Sequence, residues 1–163
     1  IRTRTCRVAS GTTRVVRAQV ARVALDPRHP KQEFSCAVLA PGDGLLEARL
    51  RDLVAALSAA RSWTIGPPEF ARFGDDEEST FGVILDLYSA HPPWGARLPR
   101  DIDRTQFEEV SALVGALSDL SRKTGDEIEC HLGDTYVGSI VSGKPDQLIS
   151  EGLLGEWAKV LAG

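Results

Sequence analysis

Apolar residues recur at helical spacing in two stretches of the chain. The first stretch has charged residues on its other faces and is typical of an amphipathic helix. Its apolar stripe consists of Leu46, Leu50, Leu53, Val54 and Leu57. The second stretch starts with Thr105-Gln106-Phe107-Glu108, a T-x-x-E spacing that predicts a capping box, and Gly125 predicts where that helix ends. Its apolar stripe consists of Phe107, Val110, Leu113, Val114, Leu117 and Leu120.

Alternating apolar and polar residues predict strands elsewhere. Residues 80–90 place Phe81, Val83, Leu85 and Leu87 on one face, so we expect a central strand of an antiparallel or mixed sheet. Residues 34–40 form a short apolar run closed by a Pro-Gly-Asp-Gly turn, which predicts a buried strand. Residues 63–65, just before Gly66-Pro67-Pro68, predict a further short strand.

A β-hairpin is predicted in the last third of the chain. Residues 127–132 alternate, with Ile128, Cys130 and Leu132 on the inner side, and Gly133-Asp134 turns the chain into a second strand over 135–141. The tail then has Leu153, Leu154, Trp157, Val160 and Leu161 at helical spacing, which predicts a C-terminal helix. We expect Leu85, Val114 and Trp157 to share one core.

These elements predict an α+β fold, a two-layer sandwich of a mostly antiparallel sheet and two or three packed helices. We expect residues 1–163 to form a single domain, with residues 1–11 as a candidate disordered basic arm. Residues 12–25 fit a helix and a strand equally well, because their valines favour a strand and their alanines favour a helix.

The 163 residues are 42% hydrophobic and 26% charged, the ordinary composition of one globular domain. No apolar run reaches the roughly 18–20 residues of a transmembrane helix, and the first seven residues lack the apolar stretch of a signal peptide. We therefore expect a cytoplasmic protein that makes no membrane contact.

Cysteines and histidines are scattered along the chain. Cys6, Cys36 and Cys130 form no CxxC motif, so reduced and mostly buried thiols are expected. The histidines have no metal-ligand spacing, and Cys130 and His131 are strand neighbours that face opposite sides of a sheet. Motifs for acyl transfer and nucleotide cofactors are missing from the sequence. We expect no catalytic residues, no metal and no cofactor.

The formal net charge of −4 conceals two opposite halves. Residues 1–32 contain eight basic residues and one acidic residue, whereas residues 33–163 contain eleven basic and twenty-two acidic residues. The basic segment suggests nucleic-acid binding as one alternative. That alternative is weakened because the first 33 residues contain no aromatic side chain on which bases could stack.

Carboxylates and loop aromatics of the acidic part are candidates for contacting a protein partner. Tyrosine and tryptophan commonly anchor such interfaces, and acidic side chains steer basic partners toward them. The candidates are Asp75, Asp76, Glu77 and Glu78 in one loop, Trp94 in the Pro-Trp loop, and Glu127, Glu129 and Asp134 near the hairpin.

Three runs near the C-terminus carry a family resemblance: residues 133–140, residues 143–146, and Gly152-Leu153-Leu154-Gly155-Glu156-Trp157. From the Thr80 strand onward, the chain resembles small bacterial immunity proteins that are encoded beside polymorphic or contact-dependent toxins. The resemblance implies a non-enzymatic inhibitor that binds and blocks a cognate toxin in the cytoplasm. An acidic surface would complement the basic groove of a nuclease toxin.

The main alternative is a small ligand-binding domain or enzyme whose site lies near the Pro-Trp loop and uses His91, Asp86 or His131. A cavity of roughly 300 Å³ or more lined by these residues would favour it. A broad acidic face with exposed aromatics would favour the protein-binding interpretation, and a continuous positive face would favour nucleic-acid binding.

Overall fold

The computed structural model describes residues 25, 27–39, 44–74, 80–89 and 98–163. In chain order they form β1 (Lys31–Val38), α1 (Gly44–Ala60), β2 (Glu69–Phe73), β3 (Thr80–Tyr88), α2 (Arg100–Thr124), β4 (Ile128–Leu132), β5 (Thr135–Val141) and β6 (Lys144–Pro145). A π-helical segment (Leu148–Gly155) and α3 (Glu156–Ala162) complete the described chain. No helix in these residues is both long enough and apolar enough to span a bilayer.

The six strands form one sheet in the order β2-β3-β1-β4-β5-β6, and every neighbouring pair is antiparallel. Helices α1 and α2 pack on one face of this sheet, which confirms the predicted two-layer α+β sandwich. Leu85 and Val114 lie inside the shared core, and Trp157 is half-buried against it. The core forms where the apolar positions of the alternating strands meet the helical stripes.

Most predicted elements are confirmed, with shifted ends. The predicted strand over 34–40 is β1 and begins three residues earlier, and the strand over 80–90 is β3. The hairpin is β4 and β5, with Gly133 in the turn at φ 58°. Residues 1–24, which include the candidate basic arm and all but the last residue of the ambiguous segment 12–25, lie outside the described residues.

Two strand assignments were wrong or incomplete. Residues 63–65 form no strand, and β2 begins at Glu69, after the Gly-Pro-Pro sequence. After β5, the chain turns at Ser142-Gly143 and returns as the two-residue β6, whereas the sequence predicted only the end of a strand there. Both β2 and β6 are held by pairing with the strand next to them in the sequence, and their own residues show no clear alternation that would predict a strand.

The chain becomes helical at Leu148, in the π-helical segment, ahead of Leu153, the first apolar residue of the predicted C-terminal helix. Asp146 stabilises the start of this segment. Its Oδ1 accepts the Ile149 amide at 3.0 Å, and its Oδ2 accepts the Ser139 amide of β5 at 2.9 Å. The capping carboxylate thus satisfies a free amide of the first turn and fixes the helix to the sheet.

The predicted capping box at Thr105 was wrong. Helix α2 begins at Arg100, directly after Pro99, and Thr105 lies in its second turn. The Thr105 hydroxyl donates to the Asp101 carbonyl at 2.9 Å instead of accepting a free amide. Gly125 does end the helix, in the left-handed conformation that was predicted.

Thr105→Ala is therefore expected to change the free energy of unfolding by no more than about 0.5 kcal/mol, because no cap is lost. Urea denaturation of the variant and the wild type checks this. A loss of about 1 kcal/mol, the usual cost of removing an N-cap, would contradict the helix start at Arg100.

Two buried polar side chains of α2 fix it to neighbouring backbone. Gln106, 1% exposed, accepts the Tyr88 amide at 2.7 Å and donates to the Tyr88 carbonyl at 3.1 Å. β2 pairs with β3 only as far as Ile84, so the Tyr88 backbone has no partner on β2. Gln106 satisfies these backbone groups in its place. Glu109 is also 1% exposed and accepts both the amide and the hydroxyl of Thr64, at 2.6 and 2.8 Å.

Burial raises the pKa of Glu109 above its ordinary value, although the hydrogen bonds from Thr64 and the charge of Arg61 act in the opposite direction. A carboxyl group with a raised pKa binds its proton more tightly in the folded state. Stability is therefore lost as the pH rises from the ordinary glutamate pKa through the raised one.

Glu109→Gln is expected to be more stable than the wild type at about pH 7.5 and similar to it near pH 4, where both states hold the proton. The glutamine oxygen still accepts the two Thr64 hydrogen bonds. Thermal melts at the two pH values provide the measurement. If the difference between the proteins does not depend on pH, Glu109 does not carry a buried charge.

Candidate functional site

We refer to the face of the sheet opposite α1 and α2 as the outer face. Strand alternation places every second residue there, between neighbours that point into the core. Its side chains on the three central strands are Lys31, Glu33, Ser35, Ala37, Thr80, Ile84, Asp86, Tyr88, Glu129 and His131. The face therefore carries three carboxylates, with one lysine, Lys31, at the end where β1 pairs with Tyr88.

Two carboxylates stand directly opposite each other on the outer face. Glu33 of β1 is the register partner of Asp86 of β3, and both are exposed. The Ser89 amide donates to the Pro30 carbonyl at 2.8 Å, so the even-numbered residues of β1 form the hydrogen-bonded pairs with β3. Glu33 and Asp86 therefore form a non-hydrogen-bonded pair, the type with Cα atoms only about 4.5 Å apart.

Like charges in such a pair destabilise a sheet. Within the described residues, neither Glu33 nor Asp86 forms an ion pair that would offset the repulsion. Among the residues that the structure describes, the two carboxylates therefore form a negative site that no ion pair neutralises.

A polar cluster on β4 and β5 lies beside this pair. His131 Nε2 lies 2.7 Å from Glu129 Oε1, and the His131 ring meets the Tyr136 ring edge-on at 5.7 Å between centroids. A bulge after Cys130 brings His131 opposite Tyr136. The Tyr136 hydroxyl is 2.9 Å from the Ser139 hydroxyl, and the tyrosine side chain is 45% exposed. Tyr136 is therefore an ordered aromatic available at the surface.

The three hairpin carboxylates predicted to bind a partner do not come together. Glu127 precedes β4 at one end, and Asp134 is exposed in the turn at the other end, roughly 20 Å away along an extended strand. Glu129 lies between them and is engaged by His131. The neighbour of Asp134 in the turn, Gly133, donates its amide to the Glu33 carbonyl at 2.8 Å, so Asp134 adjoins the Glu33–Asp86 pair.

The remaining predicted partner contacts cannot be placed. Asp75, Asp76, Glu77, Glu78 and Trp94 lie outside the described residues. Glu33 was not singled out from the sequence, although its polar position in an alternating strand was the available signal. Asp86 was considered only as part of a ligand site.

A cavity of about 680 Å³ lies elsewhere, between the ends of β1, β3 and β4, the start of α2 and the C-terminal helix. Its lining is mostly apolar and includes Leu87, Leu98, Leu132, Leu153 and Trp157. Trp157 also donates its indole N–H to Asp103 at 2.7 Å and packs edge-on against Phe107. The size and lining match those of small-molecule pockets.

The residues proposed for a ligand site are separated from this cavity. Asp86 and His131 are on the outer face and are not part of the described lining, and His91 lies outside the described residues. Nowhere in residues 25, 27–39, 44–74, 80–89 and 98–163 do three histidine, cysteine or carboxylate side chains gather as a metal site. The sequence matches no protein-family model, and neither a curated protein nor a solved structure is significantly similar to it.

Proposed function

We propose that this protein is a non-enzymatic binding protein that neutralises a cognate toxin, and that its outer face contacts a basic surface of that toxin. The opposed carboxylates of Glu33 and Asp86, which form no ion pair with any other described residue, carry this proposal. Their close opposition costs stability in the free protein, and a basic partner would turn that cost into attraction.

The chemistry around the pair suits such a partner. The excess of acidic residues over 33–163 would speed association with a cationic protein through long-range attraction. Tyr136 supplies an exposed aromatic of the kind that anchors interfaces, three strands from Asp86, with β1 and β4 between them. Immunity proteins of this class act inside the producing cell, so the proposed location is the cytoplasm.

Substitutions at the carboxylate pair test the binding face. Asp86→Asn is expected to leave the free protein as stable as the wild type or a few tenths of a kcal/mol more stable, because the like-charge contact is removed. The double variant Glu33→Lys/Asp86→Lys is expected to associate with the toxin on the order of tenfold more slowly and to show a weaker salt dependence. Stopped-flow or surface plasmon resonance kinetics at two salt concentrations measure the association rate and its salt dependence.

Asp52→Lys/Asp119→Lys is the matched control, because it changes the net charge by the same four units at exposed carboxylates of α1 and α2, in the opposite layer. If the control slows association as much as Glu33→Lys/Asp86→Lys does, net charge rather than the outer face governs binding.

Co-expression with the product of the neighbouring gene tests the toxin-neutralising role. That product is expected to kill cells alone and to be harmless when this protein is present. If it is harmless alone, or kills in both cases, the immunity proposal fails. Ligand binding in the 680 Å³ cavity then becomes the favoured function, because that cavity is large enough for a small apolar molecule.

A further inference from the structure

Two cysteines face each other inside the core. Cys36 of β1 and Cys130 of β4 are register partners, and their side chains are 1% and 0% exposed. Their sulfur atoms are 3.0 Å apart, and both thiols are free. Closing this separation to the roughly 2.05 Å of a disulfide would need a relative movement of about 1 Å.

The strand pairing favours such a bond. The Leu39 amide donates to the Glu127 carbonyl at 3.0 Å, and the Gly133 amide donates to the Glu33 carbonyl at 2.8 Å. The odd-numbered residues of β1 therefore form the hydrogen-bonded pairs with β4, and Cys36 with Cys130 is a non-hydrogen-bonded pair. The Cα separation of about 4.5 Å in such pairs falls within the range found for disulfides.

We propose that Cys36 and Cys130 form an oxidative modification site, at which a peroxide converts the thiol pair into a disulfide between β1 and β4. One thiolate attacks a peroxide oxygen, the O–O bond breaks, and a sulfenic acid and water form. The other thiol attacks the sulfenic sulfur, so that the S–S bond forms while the S–O bond breaks and a second water leaves. The two thiols lose two electrons and two protons, and the peroxide is reduced.

The surroundings of the pair determine its kinetics. Burial raises the pKa of the Cys36 thiol, and the contact with Cys130 adds to the effect. Because the thiolate is the reactive form, oxidation is slower than at an exposed cysteine and follows local opening of the sheet. The same burial protects the finished disulfide from reductants, so the modification is slow to form and long-lived.

The bond would close a long loop. Cys36 and Cys130 are 94 positions apart in the sequence, and α1, β2, β3 and α2 lie between them. Cross-linking a loop of this size restricts the unfolded chain strongly, and the thermal midpoint is expected to rise by roughly 10 °C.

The experiment uses the full chain carrying Cys6→Ala, so that only the proposed pair remains, and hydrogen peroxide as the oxidant. After incubation the protein is denatured with an alkylating reagent, and its intact mass and peptides are measured. The chain contains no methionine, so methionine oxidation cannot obscure the result. The expected product lacks two hydrogens, resists alkylation, and yields a peptide linking Cys36 to Cys130. Its raised thermal midpoint should return to the starting value on reduction.

Cys6→Ala/Cys130→Ala is the matched control, with circular dichroism to verify its fold. It is expected to show neither the linked peptide nor the rise in midpoint. Recovery of two alkylated thiols after oxidation, sulfinic acid at Cys36 without a link, or a link only between two chains would each overturn the proposal.

Discussion

Gly82→Ala is expected to destabilise the protein by about 3 kcal/mol or more, or to prevent it from folding. Gly82 is the register partner of Ala37, the last pair at one end of the β3–β1 pairing. A Cβ atom at this position would lie 1.9 Å from the Cys36 carbonyl oxygen and 2.8 Å from the Ala37 Cα. Both obstacles are backbone atoms, so the two strands would have to separate.

Urea denaturation measures this effect, and Gly115→Ala is the control. Gly115 lies within α2, where an added Cβ meets nothing within 4 Å. That change should stabilise the helix by about 0.5–1 kcal/mol, the usual difference between alanine and glycine. Equal stabilities for the two variants would show that β3 and β1 do not approach as closely as described.

Trp157→Ala is expected to lower the free energy of unfolding by about 3–5 kcal/mol. The substitution removes the edge-on contact with Phe107 and leaves Asp103 without its indole donor. It also weakens the attachment of the C-terminal helix to the start of α2, which then depends on the hydrogen bond from the Arg100 guanidinium to the Leu161 carbonyl. Trp157→Phe keeps most of the ring packing while losing the hydrogen bond, so its smaller loss reports the value of that bond.

Chemical denaturation followed by circular dichroism distinguishes these cases. An unchanged unfolding midpoint for Trp157→Ala would mean that the C-terminal helix is peripheral to the cooperative unit.

Local periodicity was sufficient to predict the helical stripes and the strands β1, β3, β4 and β5. It failed at the polar first turn of α2. Residues 100–104 carry no apolar repeat there, and the T-x-x-E motif at Thr105 indicated a later start of the helix. Asp101 and Asp103 at the positive end of the helix dipole were the signal that the helix begins earlier.

The candidate site depends on strand register, which the sequence alone does not specify. Glu33 and Asp86 are each recognisable as polar-face residues, but they are 53 positions apart, and one residue of slippage would remove their opposition. The same reasoning applies to Cys36 and Cys130, which are distant in sequence and adjacent only through the β1–β4 pairing.

The short strand β6 limits how this sheet can be extended. A peptide or second subunit that adds a strand needs a run of free backbone N–H and C=O groups. β6 has only two residues, and one of them is Pro145, which has no N–H group. Among the described strands, β2 forms the opposite edge and offers five consecutive residues without proline. Within the described sheet, β2 is therefore the edge better suited to pairing with a second copy edge to edge.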